Sequence, residues 1–520
     1  MNHHHHVPFH LLKDVPDLAC GEPGDGNLIV EGDNLVALKA LLPYYAGQVK
    51  CIYIDPPYNT GNEGWAYNDN VNSPVIRQWL GQVVGKEGET LDRHDRWLCM
   101  MYPRLAVLRQ FLKNDGAIFI SIDDHEYERL KLMMNELFGQ SNHVATFIWK
   151  RRTTPDSRNL NGVSSDHEYV VCYQRSPGFR VVGQSKDLEK YSNPDNDPRG
   201  PWMSDNLTGL ANPAERPNLH YELIHPNTNV RYQPHPSRGW IYGRERMAAL
   251  IADNRILWPR KPGGRPRLKR YISDMQSSTT GLSTVLDAPG NVAATKELSE
   301  IMGPKTFAFP KPSSLVAQLI EQATEGDDLI LDSFAGSGTS GHAVLALNKR
   351  DQGRRRFILV ELDQNIAPTL TAERVRRVAV GFDNSAGEKI EGLGGAFRYC
   401  QLGEPLFDEA GKIRETVSFG ELARHVYFTE TGEPLPRERV SPKSPFLGVC
   451  RGVGVYLLYN GILTDKTANG GNVLNRAVLA KLPPFDGTKV VYCAGSLLGP
   501  DRLAAERIVV RQTPYEIKIS

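Results

Sequence analysis

Two short segments carry residue types able to hold and react a flat, amino-bearing ring. Asp55-Pro56-Pro57-Tyr58 closes the apolar, strand-like run KCIYI. Ligands collect at the carboxyl ends of parallel strands, and paired prolines there fix the backbone and remove amide N–H groups that would compete for acceptors. A carboxylate and a carbonyl can then both accept hydrogen bonds from one exocyclic NH2, drawing its lone pair out of conjugation. Asp55 and the Pro56 carbonyl are the candidates for that clamp, and Tyr58 is asked only to stack on the heterocycle. A Pro-Pro turn taken alone is also plain punctuation.

The second segment is Asp332-Ser333-Phe334-Ala335-Gly336-Ser337-Gly338-Thr339, directly after the run LILD and before an apolar helical pattern. Glycines at a strand-to-helix turn let the backbone approach a ligand, and an acid ending the next strand, Glu361 in VELD, is placed to bond ribose hydroxyls. This reads as a nucleoside-cofactor turn, with a ligand-free tight turn, a nicotinamide dinucleotide or a phosphate cradle as competitors. No third glycine completes GxGxxG and no GK[ST] follows, so pyrophosphate binding loses ground.

The elements that must position these segments alternate. NLIVEGDN, a helix near 34–46, KCIYIDPPY, GAIFISIDD, then LILDSFAGSGTSGHAVLALN and RFILVELD predict parallel βαβ units. Leu130, Met133, Met134, Leu137 and Phe138 predict a core-facing helix over 125–138, and Trp97, Met101, Leu105, Leu108 and Leu112 another, bent or broken at Pro103. Between the halves, 176–300 is rich in Pro, Gly, Asn, Arg and Trp without a period and reads as a loop-rich insertion. Its stretch 255–270 holds Arg255, Arg260, Lys261, Arg265, Arg267, Lys269 and Arg270 and no acid, interleaved with Trp258, Trp240 and Tyr271. Such a run is a solvated face or a nucleic-acid contact, and the aromatics favour contact; Lys150, Arg151 and Arg152 read as backbone-facing in the same way.

The 520 residues suggest about three domains of roughly 150 residues. With 40% hydrophobic residues and 61 Lys+Arg against 60 Asp+Glu, the chain is neither disordered nor globally basic, so any nucleic-acid face is local. No membrane-length apolar run or secretory leader is present, which predicts a cytoplasmic protein without a membrane partner. Seven scattered cysteines without a CxxC argue against disulfides and a zinc cage, and no metal is expected. The opening MNHHHH reads as tag-like or solvated.

DPPY together with FAGSG resembles the S-adenosylmethionine-dependent amino-methyltransferases of DNA. DPPY at 55–58 precedes the turn at 334–338, which is similar to the permuted order of the β class of adenine-N6 methyltransferases. Gly32-Asp33-Asn34 resembles the segment whose acid meets the cofactor's adenine, and Phe309-Pro310-Lys311-Pro312 the segment that closes over the cofactor. DPPYNTG, HEYVVCYQR and KRR look most like the modification subunits of type III restriction systems and their stand-alone relatives. The chain is shorter than most of those subunits. The resemblance implies methyl transfer to adenine N6 in double-stranded DNA after base flipping, since a duplex hides that amino group. It implies a cofactor pocket lined by Asp33, Asn34, Phe309, Lys311, Pro312, Asp332, Phe334, Ala335, Gly336, Gly338, Thr339 and Glu361. Cytosine-C5 chemistry would need a Pro-Cys pair, which is absent, and cytosine-N4 enzymes usually carry SPPY.

The expected architecture is α/β. A doubly wound, Rossmann-like methyltransferase sheet is assembled from 26–175 and 301–382, after an N-terminal extension 1–25. A target-recognition insertion spans 176–300, and a linker at 381–395 leads to a smaller C-terminal α+β domain at 396–520. Partners implied are DNA, a restriction or helicase subunit, and a second copy. The rival reading is a DNA-recognition subunit of such a complex, with methylation secondary.

Overall fold

The computed structural model describes residues 7–21, 26–60, 93–156, 162–261, 263–441, 443–459 and 471–513. The N-terminal histidine run lies outside the described residues.

Ten strands form the main sheet: β1 (His10–Asp14), β2 (Leu28–Glu31), β3 (Val49–Ile54), β4 (Leu112–Ile122), β5 (His143–Lys150), β6 (His167–Gln174), β7 (Val285–Leu286), β8 (Leu329–Asp332), β9 (Arg356–Glu361) and β10 (Arg398–Pro405). Their order is β1-β10-β2-β9-β8-β3-β4-β6-β5-β7. The run from β10 to β4 is parallel throughout, whereas β6 runs antiparallel to both β4 and β5. The buried parallel strands read as continuous apolar runs because helices cover both faces. Ile52, Ile54, Leu329, Leu331, Ile358 and Val360 pack in one cluster with α1 (Asn34–Tyr45), α2 (Arg93–Phe111) and α3 (Tyr127–Phe138). The alternating Ile330, Phe357 and Leu359, fully buried, point to the opposite face. There α4 (Asn291–Met302) is followed by α5 (Ser313–Ala323), which packs on α6 (Thr339–Asp351), and α6 lies on β9 and on α7 (Glu373–Val380).

This topology gathers the chemistry. β2, β9, β8 and β3 are consecutive neighbours, and from their carboxyl ends emerge GDN, VELD, the DSFAGSG turn and DPPY, the edge where doubly wound sheets bind ligands. Leu130, Met133, Met134 and Phe138 are buried on α3 as their spacing predicts. Pro103, by contrast, does not break its helix: α2 runs continuously from Arg93 to Phe111. Beside the missing proline N–H, the Arg104 guanidinium donates to the Met100 carbonyl at 2.9 Å, so a side chain supports the turn at the proline.

The main sheet draws on more chain than the two halves 26–175 and 301–382. β1 pairs antiparallel with β10, and β7 pairs parallel with β5. The stretch 381–395 contains a hairpin, Gly381–Asp383 against Lys389–Glu391, in place of a plain linker.

Residues Val182–Leu282 form a separate compact unit, narrower than the insertion 176–300. Its antiparallel sheet pairs Arg267–Tyr271 with Ile256–Leu257 on one side and Trp202–Asn206 on the other. Its core is Leu207, Tyr221, Leu223, Trp240, Met247, Leu250, Ile256 and Leu268. Near the C-terminus a mixed sheet of Phe446–Cys450, Val453–Leu457, Thr488–Cys493 and Ile508–Gln512 carries the helix Phe419–Thr431, which buries Leu422 and Val426 against it. Among the described residues no helix is long and apolar enough to cross a membrane.

Candidate active site

Asp55-Pro56-Pro57-Tyr58 leaves β3 as an ordered loop held from outside. The Trp97 indole N–H donates to the Pro57 carbonyl at 2.7 Å. Asn59 follows in the left-handed region with φ 60°, its amide 2.5 Å from the Glu126 carboxylate, and His94 Nδ1 approaches the same oxygen at 2.6 Å. Glu126 is fully buried. With Pro57 engaged, the Pro56 carbonyl receives no hydrogen bond from any described residue.

Around Asp55 the structure assembles three further charged groups and one hydroxyl. Lys311 Nζ lies 2.9 and 2.8 Å from the two Asp55 oxygens and 3.4 Å from Glu168 Oε2, with its charge 4.8 Å from the Tyr58 ring centre. The Tyr58 hydroxyl sits 2.9 Å from Asp55 Oδ1 and 3.0 Å from Glu168 Oε2. Arg151 closes the set, 3.5 Å from the other Glu168 oxygen. Burial, with the carboxylates of Asp55 and Glu168, holds the Tyr58 hydroxyl well above its ordinary pKa. Burial also works to neutralise Lys311, but Asp55 and Glu168 outweigh it and raise its pKa, so it remains an ammonium.

Three expectations change here. Lys311, expected in the cofactor pocket, is spent on Asp55, because the FPKP segment enters α5 beside the exit of β3. Arg151, expected to face a DNA backbone, turns to Glu168 and to the Ser165 carbonyl. Tyr58 does more than stack, because its hydroxyl joins two carboxylates.

The glycine turn after β8 is built around two buried acids. Asp332 accepts from the Phe334 amide at 3.0 Å and the Ser340 hydroxyl at 2.5 Å. Glu361 accepts from the Gly336 amide at 2.7 Å and the Asp363 amide at 3.0 Å. Gly336 and Gly338 have φ 49° and 76°, and a Cβ on Gly338 would sit 2.9 Å from the Thr371 carbonyl, so the turn requires glycine there. Phe334 and Ala335 are buried, and the Ala335 amide donates to Val360 at 3.0 Å. Beneath the turn the fully buried Arg374 donates to the hydroxyls of Ser337 at 3.1 Å and Thr339 at 2.8 Å. Thr339 is therefore held from below. Asp33 caps α1 through the Val36 amide at 3.0 Å and meets Arg104 at 3.1 Å. Asn34 receives the Arg104 Nε and donates to the Ser333 carbonyl.

This edge fits a nucleoside ligand. The Ser333 hydroxyl is buried and has no partner among the described residues, and the Glu361 carboxylate, with about four lone-pair sites, keeps acceptor capacity beyond the backbone amides of Gly336, Leu362 and Asp363. Pro312 is the residue at the N-terminal end of α5, and Phe309 stands 79% exposed with φ 54°.

Burial pushes the Asp332 carboxyl up to about 7 from 3.8. A raised carboxyl pKa means the folded chain binds more protons than the unfolded one between those values, so this group's contribution to stability is full below about 4 and lost as pH rises through about 7. Asp332→Asn removes that slope. In urea unfolding followed from pH 5 to pH 9, the wild type is expected to lose on the order of a few kcal/mol relative to Asp332→Asn. Parallel pH curves for the two would contradict the assignment.

In the separate unit the basic run divides. Lys269 is 7% exposed and paired with Asp195 and Asp197, Arg270 pairs with Asp205 at 2.7 Å, and Arg267 bonds Ser204 and Asn206. Their strand is zipped to Trp202–Asn206, so Lys269 and Arg270 are balanced by carboxylates while Arg267 is held by neutral groups of that strand. Trp240 and Tyr271 are core residues as well. Arg260, Lys261 and Arg265 are exposed, as is Lys150 on β5, whereas Arg152 pairs with Asp156 at 2.6 Å.

A family model described as DNA methylase, of the N6/N4 methyltransferase group, matches residues 49–373. This span holds both DPPY and FAGSG. The chain belongs to this DNA methylase family. Among its relatives, the StyLTI Mod subunit of a type III restriction-modification enzyme from Salmonella typhimurium is 36% identical over 382 residues, 68% of this chain and 57% of the relative. The EcoP15I Mod subunit from Escherichia coli is 32% identical over 388 residues, 65% of this chain and 58% of the relative. The type II methyltransferase M.KpnI from Klebsiella pneumoniae is 30% identical, over 69% of this chain and 89% of the relative. The chain thus spans less than two thirds of the length of the two Mod subunits.

Four residues of this methylase's site escaped the sequence reading: Glu168, Arg104, Trp97 as a hydrogen-bond donor, and Arg374. Glu168 had a signal, an acid inside the apolar run HEYVVCYQ. It is 4% exposed, and because β6 runs antiparallel its first residues lie at the carboxyl end of β4, where Tyr169 pairs with Ile122.

Proposed function

We propose that this chain is a site-specific DNA methyltransferase that moves a methyl group from S-adenosylmethionine to adenine N6 in double-stranded DNA after base flipping. The observation that carries the reading is the juxtaposition, at the ends of the neighbouring strands β3 and β8, of an amine clamp with an open Pro56 carbonyl and a glycine turn flanked by Glu361. When bound, the cofactor supplies a methyl group made electrophilic by its sulfonium. The chain's residues do the rest. Asp55 and the Pro56 carbonyl accept hydrogen bonds from the target amine and aim its lone pair. The Tyr58 ring stacks on the flipped base, recovering about 1–3 kcal/mol of the few lost on unstacking. Glu361 accepts from ribose hydroxyls, Asp33 and Asn34 border the adenine end of the pocket, and the Ser333 hydroxyl offers a further polar contact. The order DPPY before FAGSG supports the β-class arrangement, and the Asp in DPPY favours N6 over N4.

The type III relatives are named as subunits, and this favours a role as the modification component of a restriction-modification or related defence system, with a restriction or helicase subunit as partner. Position-resolved sequencing of DNA from an expressing host tests the reading. N6-methyladenine at one recurring motif is expected, and its absence from every adenine would contradict it.

Arg260, Lys261 and Arg265 are proposed as the phosphate-contacting part of the recognition unit. Reversing all three to Glu should weaken DNA binding and lower the slope of log affinity against log salt by about 2–3, since each phosphate contact contributes roughly 0.9. Cofactor binding should not change. An unaltered salt slope would make these residues a solvated face.

A further inference from the structure

The target amine must reach an acceptor that is already occupied. Both Asp55 oxygens carry the Lys311 ammonium, at 2.9 and 2.8 Å, and Oδ1 also accepts from Tyr58 at 2.9 Å. A carboxylate offers about four lone-pair sites; Lys311 takes one on each Asp55 oxygen, and the single Tyr58 proton is shared between a third, on Oδ1, and Glu168. Moving a buried ammonium off its carboxylate strands a charge unless a second anion receives it. One stands in place. Glu168 Oε2 lies 3.4 Å from Lys311 Nζ and 3.0 Å from the Tyr58 hydroxyl, while Arg151 approaches the other oxygen, Oε1. The two donors that block Asp55 therefore already touch the same oxygen of Glu168, and transfer needs only a small rotation of each.

We propose that Glu168 is a positioning residue for methyl transfer, the berth onto which Lys311 and the Tyr58 hydroxyl shift when the target amine takes their place on Asp55. This rests on the amine-clamp reading above. Lys311 keeps an anion throughout, Asp55 is freed as an acceptor, and Tyr58 stays oriented as the base stacks on it. The two carboxylates and two cations, Asp55 and Glu168 with Lys311 and Arg151, keep the group neutral in both arrangements. The exchange also makes the clamp selective, because only a ligand that donates to Asp55 displaces the ammonium.

The test is a cycle of variants read in steady-state transfer from S-adenosylmethionine to duplex DNA carrying the target site. In E168Q the amide oxygen still accepts a hydrogen bond but carries no charge to balance the Lys311 ammonium, which then stays on Asp55. kcat is expected to fall at least tenfold, with cofactor affinity within twofold of wild type. In E168Q/K311M the blocking ammonium is gone as well, and kcat is expected to recover at least threefold over E168Q. A merely structural role would instead make the two losses multiply. E168D, which keeps the charge on a shorter arm, should fall between wild type and E168Q. If E168Q does not fold, E168D against E168D/K311M carries the same comparison. Wild-type kcat in the Glu168 variant, or a double variant no faster than its Glu168 parent, overturns the proposal. A wild-type chain that transfers no methyl group to any DNA overturns the clamp reading itself, a distinguishable result.

Discussion

Asp55→Ala is expected to lower methyl transfer by on the order of 10³-fold while the cofactor still binds, because the clamp and the glycine turn come from different strands. The carboxylate is the charged acceptor for the target amine, and removing a group that acts on developing charge costs about 10²–10³-fold in turnover before the loss of orientation is added. Lys311 retains Glu168 at 3.4 Å, so the variant keeps a partner for its buried cation and should fold. Tyr58 separates two contributions. Tyr58→Phe keeps the ring but withdraws the hydroxyl from Asp55 and Glu168, and is expected to lose about tenfold, as one hydrogen bond to a charged group is worth about 1.5 kcal/mol or more. Tyr58→Ala also loses the stacking surface, a further 1–3 kcal/mol or so. Single-turnover kinetics and cofactor titration on the three variants check this. Near wild-type transfer by Asp55→Ala would refute the clamp, and equal losses in Phe and Ala would mean that the ring does nothing.

The largest effect on stability is expected at Arg104. Its guanidinium is buried within α2 and donates to Asn34, to the Met100 carbonyl at 2.9 Å and to Asp33 at 3.1 Å. It therefore ties the proline-containing helix to the GDN segment. Arg104→Met fills the space but leaves the Asn34 oxygen buried without that donor and Asp33 without its cation. Asp33 is partly exposed, so the main loss is the Asn34 oxygen left without its charged donor, about 1–3 kcal/mol. Urea unfolding should show a loss of that size, with cofactor affinity reduced as Asp33 and Asn34 lose their anchor. A change below about 1 kcal/mol would mean that the network is incidental.

What the sequence made legible is what the chain determines locally. An apolar run ending in DPPY and another ending in DSFAGSG carry both the strand and its chemistry, and parallel βαβ pairing then brings β3 and β8 together although their residues lie far apart in the chain. What it hid depends on partners from elsewhere. Lys269 looks like a phosphate ligand until Asp195 and Asp197, from the chain ahead of the strand Trp202–Asn206, come to lie beside it. Lys311 looks like a pocket residue until α5 delivers it to Asp55. Glu168 reaches the site only because β6 reverses direction, and nothing in HEYVVCYQ states which way it runs. Pro103 reads as a bend or a break, yet α2 continues through it. The insertion's far boundary was misplaced for a similar reason: β7 and α4, set among loop-like composition, return to the main sheet and its helical layer.

The central claim is tested most directly by incubating the purified chain with methyl-labelled S-adenosylmethionine and mixed-sequence duplex DNA, then digesting the DNA to nucleosides and separating them. The account predicts label in N6-methyldeoxyadenosine, absent from a parallel reaction with Asp55→Ala. Label in N4-methyldeoxycytidine, or undiminished label with Asp55→Ala, would contradict it.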